Sequence, residues 1–478
     1  MKEYKKTKII ATLGPAVDTP EMMEKLIAEG VNVFRINFSH ATYDIVERQV
    51  KTIRALNKKL NKHTAILADL QGPKLRVGKM EDGIVVHNGD EITFTSENIL
   101  GNASRVYMNY LKFPQDVKVG EYILLDDGKL KFQVLETNNI DKVKTKVIVG
   151  GELKSNKGVN LPNTKISLPA LTKKDKQDAI FAISQKVDWM ALSFVRNGKD
   201  LKQLNELIAN NSDCKIPVIA KIEKPEALKK LKKIIANCDG LMVARGDLGV
   251  EIPMEQVPLI QKELVLAAKK ARIPIVIATQ MMETMMTAPV PSRAEVNDVA
   301  NSVMDGADAV MLSGETSVGK FPIEVIKQMT KIIKSVEHSD MIQVPKKPPH
   351  IRTKRFITKS VCFHAALIAD EIEAKAITTL TVSGYTAFQI SAWRPKANIL
   401  VFSNNRRLLA QLSLLWGVRA FHYNHQVSTD KTVEELNEIA RQHNFVDLGD
   451  KLINLTAMPV KAKGMVNTLR ISEIDYHE

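Results

Sequence analysis

The stretch Ile216 to Glu226, IPVIAKIEKPE, decides the fold. An apolar run, Ile216 to Ala220, ends in Lys221 and Glu223, and strand alternation sets those two on one face. A cation beside a carboxylate where a buried strand runs out suits phosphoryl transfer, one for developing charge and one for a metal. A strand-end salt bridge would look the same, so the neighbouring segments must decide.

Seven other short apolar runs alternate with amphipathic segments: KIIATL from Lys8, VNVFRINF from Val31, TAILADL from Thr64, VDWMALSF from Val187, GLMVARGD from Gly240, IPIVIATQ from Ile273 and ADAVMLSG from Ala307. Eight strands in this rhythm predict an α/β fold, a closed (β/α)8 TIM barrel, with an open doubly wound sheet as the alternative. The segment PEALKKLKKIIA is expected to be helical, with Leu228, Leu231, Ile234 and Ile235 on one stripe. The barrel is assigned to residues 1–73 and 168–345. Residues 74–167, rich in Val, Ile and Thr with turn dipeptides at Asn88-Gly89 and Asp127-Gly128, are expected to form an inserted small β-barrel lid domain. Residues 346–478 alternate helix and strand again and predict a C-terminal α/β domain.

The net charge of +14 is spread along the chain, about +2 in the insert and +6 in each of the other two parts, which argues against nucleic acid and suits anionic small molecules. Only KKPPHIRTKRFITK, Lys346 to Lys359, is locally dense, and its prolines read as a solvated linker. Cys214, Cys238 and Cys362 lack metal-ligand spacing and are expected to be small core residues. No membrane span and no signal region is visible, so a cytoplasmic protein is expected.

In a closed barrel, chemistry sits at the C-terminal strand ends. There the sequence places Arg35, Asn37, Ser39 and His40, Asp69, Ser193, Lys221 and Glu223, Arg245, Gly246 and Asp247, and Thr279. Glu223 and Asp247 are hard oxygen ligands suited to Mg2+ or Mn2+. The fork of Arg35 can grip a phosphate, amides near Gly246 and Asp247 can bind a carboxylate, and Lys221 can neutralise a phosphoryl group in flight. GETSVGK, Gly314 to Lys320, has phosphate-loop spacing but is followed by Phe321 where that loop needs Ser or Thr, so a turn between strand and helix is the better account.

These residues resemble the pyruvate kinase family over nearly the whole length. TLGPA from Thr12, RINFSH from Arg35, KIEKPE from Lys221, MVARGDLGVEIP from Met242, ATQMMETM from Ala278, PSRAEVNDVAN from Pro291 and MLSGETSVGKFP from Met311 occur in family order. The resemblance implies phosphoenolpyruvate plus ADP giving pyruvate and ATP, with Lys221, Arg35 and Thr279 catalytic and Glu223 and Asp247 on Mg2+. It assigns phosphoenolpyruvate to Arg35, Ser193, Lys221, Gly246, Asp247 and Thr279, and the nucleotide to Asn37, Ser39, His40, Arg76 and Lys157. It also implies a homotetramer and a regulatory or oligomerisation role for the C-terminal domain, residues 346–478. A catalytically inactive scaffold and another Mg2+-dependent pyruvate or phosphoenolpyruvate barrel enzyme, such as a lyase, are the competing readings.

The departures are specific. DLQGPKLR, from Asp69, stands where potassium-activated members have DTKGPEIR, so Lys74 replaces a glutamate that accompanies K+ in a pocket resembling Asn37, Ser39, Asp69 and the Leu70 carbonyl. An ammonium there could supply the charge itself, and K+ is then not required; a solvated lysine at the domain junction is the alternative. Ala41 and Ile45 also depart from the family pattern. TVSGYTA, Thr381 to Ala387, resembles the family's effector-phosphate loop, with Thr381, Ser383, Gly384 and Thr386 as anion contacts; a structural turn is the equal alternative, and neither Tyr385 nor Lys461 to Gly464 settles it.

Overall fold

Apolar runs of four or five residues, too short for buried helices and bounded by turn residues, become strands covered on both faces. The computed structural model describes residues 4–162, 164–339, 348–351, 353–425, 428–458 and 465–475. Its barrel strands are β1 (Lys8–Thr12), β2 (Val33–Asn37), β3 (Ala65–Asp69), β4 (Trp189–Leu192), β5 (Val218–Ile222), β6 (Gly240–Ala244), β7 (Ile275–Ala278) and β8 (Ala309–Leu312). All pairs are parallel, and β8 closes on β1. The open sheet is excluded. Reciprocal capping boxes at Thr172 and Asp175, Asn197 and Asp200, and Ser292 and Glu295 start three of the outer helices.

Between β3 and β4 the chain builds a second apolar core running from Leu75 to Leu161. A six-stranded, largely antiparallel sheet and a two-stranded ribbon surround it, with Phe94 meeting Phe113 and Phe132 edge to face. Asp127-Gly128 turns the hairpin Tyr122–Leu125 to Leu130–Thr137, with φ of 49°, 58° and 86° at Asp126, Asp127 and Gly128.

The C-terminal domain is a five-stranded sheet of β9 (Ala376–Leu380), β10 (Asn398–Ser403), β11 (Val418–His422), β12 (Lys451–Thr456) and β13 (Thr468–Glu473). Its order is β11-β10-β9-β12-β13, antiparallel only at β13. This domain plugs the N-terminal mouth of the barrel. Leu414 packs with Val33, Leu67 and Trp189 in the barrel's inner layer. Around it Trp189 Nε1 donates to the Gln411 carbonyl at 2.9 Å, Lys8 Nζ to the Val418 carbonyl at 2.7 Å, and Arg394 pairs with Asp308 at 2.9 Å.

Three local expectations need correction. PEALKKLKKIIA forms two five-residue helices, Pro225–Lys229 and Leu231–Ile235, broken at Lys230 with φ −117°; of its stripe only Ile234 is fully buried. Cys214 is exposed in the loop before β5, whereas Cys362 is a core residue. The dense basic stretch is not wholly linker, because the helix Phe356–Glu371 begins inside it; Lys346, Lys347 and Arg352 lie outside the described residues. GETSVGK is a short helix, Gly314–Ser317, and its exit. No helix among the described residues is long and apolar enough to cross a membrane.

Truncating Leu414 removes a side chain 1% exposed at the junction of two domains. Leu414→Ala is expected to cost about 2–5 kcal/mol. Denaturant unfolding followed by tryptophan fluorescence checks it: a midpoint unchanged from the parent would show that the plug contributes nothing.

Candidate functional site

The strand register delivers polar residues to one rim. Asn37 pairs with Asp69 across β2 and β3, and Lys221 lies one residue short of the end of β5. Its ammonium is 2.9 Å from Glu223 Oε1 and donates to Ser193 Oγ at 2.7 Å; Ser193 in turn donates to the Leu70 carbonyl at 2.7 Å. Asp69 Oδ1 lies 3.4 Å from the same ammonium, too far for a good hydrogen bond, and no other group among the described residues donates to it. That contact is coulombic. The other Asp69 oxygen accepts from Arg35 Nε at 2.7 Å, and Arg35 Nη1 donates to Thr12 Oγ1 at 3.0 Å.

Charge states follow from this packing. Burial alone would lower the Lys221 pKa, but Asp69 and Glu223 outweigh it and raise it above the ordinary lysine range. Burial pushes the Asp69 carboxyl up, while Lys221 and Arg35 draw it net downward. Glu223 and Asp247 are raised, burial first in each case; Lys221 opposes the rise in both, and the charge of Asp247 adds to it at Glu223. Two carboxylates that resist ionising together accept a cation readily.

The side of the rim formed by Gly246 and Thr279 is built on strain. Thr279, directly after β7, has φ +70° and Gln280 has φ +54°, a region β-branched residues avoid. Thr279 Oγ1 accepts from the Gly246 amide at 2.8 Å and donates to the Ala278 carbonyl at 2.6 Å. Arg245 holds this turn: it pairs through both terminal nitrogens with Asp298, at 2.5 and 2.6 Å, and donates to the Thr279 carbonyl at 2.9 Å. Phe194, also at positive φ, donates its amide to Glu223 Oε2 at 2.6 Å.

Asn37, Ser39 and His40 adjoin this cluster, with the Asn37 side chain accepting from the Ser39 amide at 3.1 Å. Burial, then Lys74, Arg76 and Arg35, hold the His40 pKa below its ordinary value. Lys74 is itself lowered, by burial first and Arg76 next, against the attraction of Asp247 and Asp127. No hydrogen bond or ion pair joins its ammonium to Asn37, Ser39, Asp69 or the Leu70 carbonyl. Across from them, in the inserted domain, Arg76 donates to the Asn156 carbonyl at 2.6 Å and Lys157 pairs with Asp126 at 2.9 Å. Thr381, Ser383, Gly384 and Thr386 are elsewhere, in the C-terminal domain after β9, where Thr381 Oγ1 accepts from the Gly384 amide at 2.9 Å. Lys461 and Gly464 lie outside the described residues.

Sequence reasoning missed Thr12, Phe194, Asp298, Lys224 and Glu251. All five lie inside stretches quoted above, but only the tertiary structure shows what each one touches.

Residues 4–326 match the family model described as pyruvate kinase, barrel domain, and residues 359–472 match pyruvate kinase, alpha/beta domain. The chain is 42% identical to pyruvate kinase 2 of Synechocystis sp., over 95% of this chain and 76% of that protein. It is 38% identical to a pyruvate kinase of Methylorubrum extorquens, over 99% and 98%. A crystal structure of a pyruvate kinase from Cryptosporidium parvum superposes with a TM-score of 0.90 at 32% identity, over 98% of this chain and 96% of that one. With the three-part architecture and the rim in place, these likenesses make the chain a member of the pyruvate kinase family of phosphotransferases.

Proposed function

We propose that the rim transfers the phosphoryl group of phosphoenolpyruvate to ADP, giving pyruvate and ATP, as the last step of glycolysis. The observation that carries this reading is the Lys221 ammonium, fixed among Ser193, Glu223 and Asp69 and kept charged. A loose phosphoryl-transfer transition state needs a positioned cation more than covalent chemistry. Ser193 orients that ammonium. Arg35 is fixed through Nε and Nη1, and its Nη2 has no acceptor among the described residues, which leaves it for the substrate phosphate. The turn at Gly246 and Asp247 offers amides to the substrate carboxylate, and Thr279 stands beside it for the proton that the enolate must gain.

Glu223 and Asp247 fit Mg2+ or Mn2+. Both are hard oxygen donors whose mutual repulsion a divalent ion relieves, and two protein carboxylates suit an ion that keeps several waters for substrate. Held by Glu223 and Asp247, such an ion would supply positive charge to stabilise the phosphoryl group in transfer. Asn37, Ser39 and His40 from below and Arg76 and Lys157 from the inserted lid would take the nucleotide, with Lys157 exchanging Asp126 for ADP phosphate.

We further propose that the enzyme works without K+, the Lys74 charge standing in for the ion near Asn37, Ser39, Asp69 and Leu70. The attraction of Asp247 and Asp127 for its ammonium supports this, as does Asp69 Oδ1, which accepts no hydrogen bond among the described residues. A homotetramer, a cytoplasmic location and a phosphorylated effector at Thr381, Ser383, Gly384 and Thr386 complete the reading. At that loop the amides other than that of Gly384 would serve the anion, since Thr381 already holds Gly384; calorimetry with phosphorylated sugars and nucleotides tests it.

A coupled assay of ADP-dependent pyruvate release decides the main reading, and a parent enzyme that makes no ATP would refute it. Lys221→Met is expected to lower kcat about 100- to 1,000-fold, with a smaller change in KM. Retention of full rate would remove Lys221 from the chemistry. In potassium-free buffer the parent should keep its rate, and Lys74→Glu should gain at least about tenfold activation by K+. Strong K+ activation of the parent would rule out the substitution of lysine for the ion.

A further inference from the structure

Glu251 ends the seven-residue helix Arg245–Glu251, whose first turn carries Gly246 and Asp247. Its side chain is 1% exposed. One oxygen, Oε1, accepts from Lys224 Nζ at 2.6 Å and from Asn160 Nδ2 at 2.9 Å; the other, Oε2, is buried and accepts no hydrogen bond among the described residues. Lys224 directly follows Glu223 and is equally enclosed, with its ammonium 6.0 Å from the ring of Phe194, the residue whose amide holds Glu223. Asn160 belongs to the inserted domain, on a short strand paired with Leu124 and Leu125. The same domain meets this helix again one residue earlier: a β-carbon on Gly128 would lie 3.8 Å from the Val250 side chain.

One carboxylate thus ties three elements: the end of β5, the helix that bears Asp247, and the insert. Lys224 balances its charge, as a buried carboxylate requires. The amide of Asn160 adds a bond to an oxygen already neutralised, so breaking that bond strands no charge. Such a contact can be made and broken while the barrel stays intact.

We propose that Glu251 is a positioning residue, the barrel half of a latch whose inserted-domain half is Asn160, and that the latch holds the insert over the rim that takes ADP. The inference rests on the phosphoryl-transfer reading and names a regulator of that site. Asn160→Asp sets carboxylate against carboxylate. It is expected to raise KM for ADP about tenfold with kcat within about twofold, and to speed amide hydrogen exchange in 156–162 of the ligand-free protein. Asn160→Ala, which adds no charge, should move both in the same direction by about threefold. In Asn160→Asp combined with Glu251→Gln the negative charge moves to the inserted domain, where the new carboxylate can pair with Lys224, whose ammonium shares Oε1 with the Asn160 amide in the parent. Both quantities should then return to within about twofold of the parent. Unchanged KM and exchange in the single variants, or no recovery in the double one, would overturn the latch. A parent that makes no ATP would overturn the catalytic reading instead, and the exchange comparison, made without substrate, would still judge the latch.

Discussion

One ammonium kept charged in a nearly dry barrel mouth sets the terms for everything around it. Lys221 is 9% exposed and could not stay protonated there alone. Asp69 from β3 and Glu223 from the end of β5 supply the opposing charge, and each is itself buried enough to need Lys221 or Arg35. The groups are mutually dependent: removing any one leaves another charge uncompensated in a poor solvent. Pre-paid burial of this kind is how a site acquires oriented charge before a substrate arrives.

The other half of the rim stores its order in the backbone. Thr279 and Gln280 occupy positive φ because Arg245, anchored on Asp298, grips the turn from behind and the Gly246 amide grips it from the front. A turn so over-determined has little freedom left to lose on binding. The two halves are ordered differently, by compensated charge on β3 to β5 and by backbone strain directly after β7, and they meet at Asp247.

The sequence made the strands legible because burial on both faces leaves continuous apolar runs, and it made the rim legible because a charged residue at the end of such a run has few structural excuses. Lys221 and Glu223 were found that way. It could not show the break at Lys230, since no Gly or Pro marks it, nor the exposure of Cys214, since a lone cysteine carries no signal of depth. Glu251 at the end of GDLGVE reads as an ordinary solvated helix residue until Asn160, 91 positions away, is seen against it. The reach of Lys74 was hidden for the same reason: a long side chain at a domain junction has its direction set by neighbours from both sides.

The plug at the barrel's N-terminal mouth has a consequence for how the chain is made. The inner apolar layer is finished by Leu414, a residue that follows the last barrel strand, ending at Leu312, by about a hundred positions. At roughly 5–20 residues per second of synthesis, the ribosome leaves that layer, Trp189 included, without its lid for about 5–20 s after the eighth strand has been made. During that interval the nascent barrel presents an open greasy end, and its completion is timed by elongation rate rather than by the barrel's own sequence.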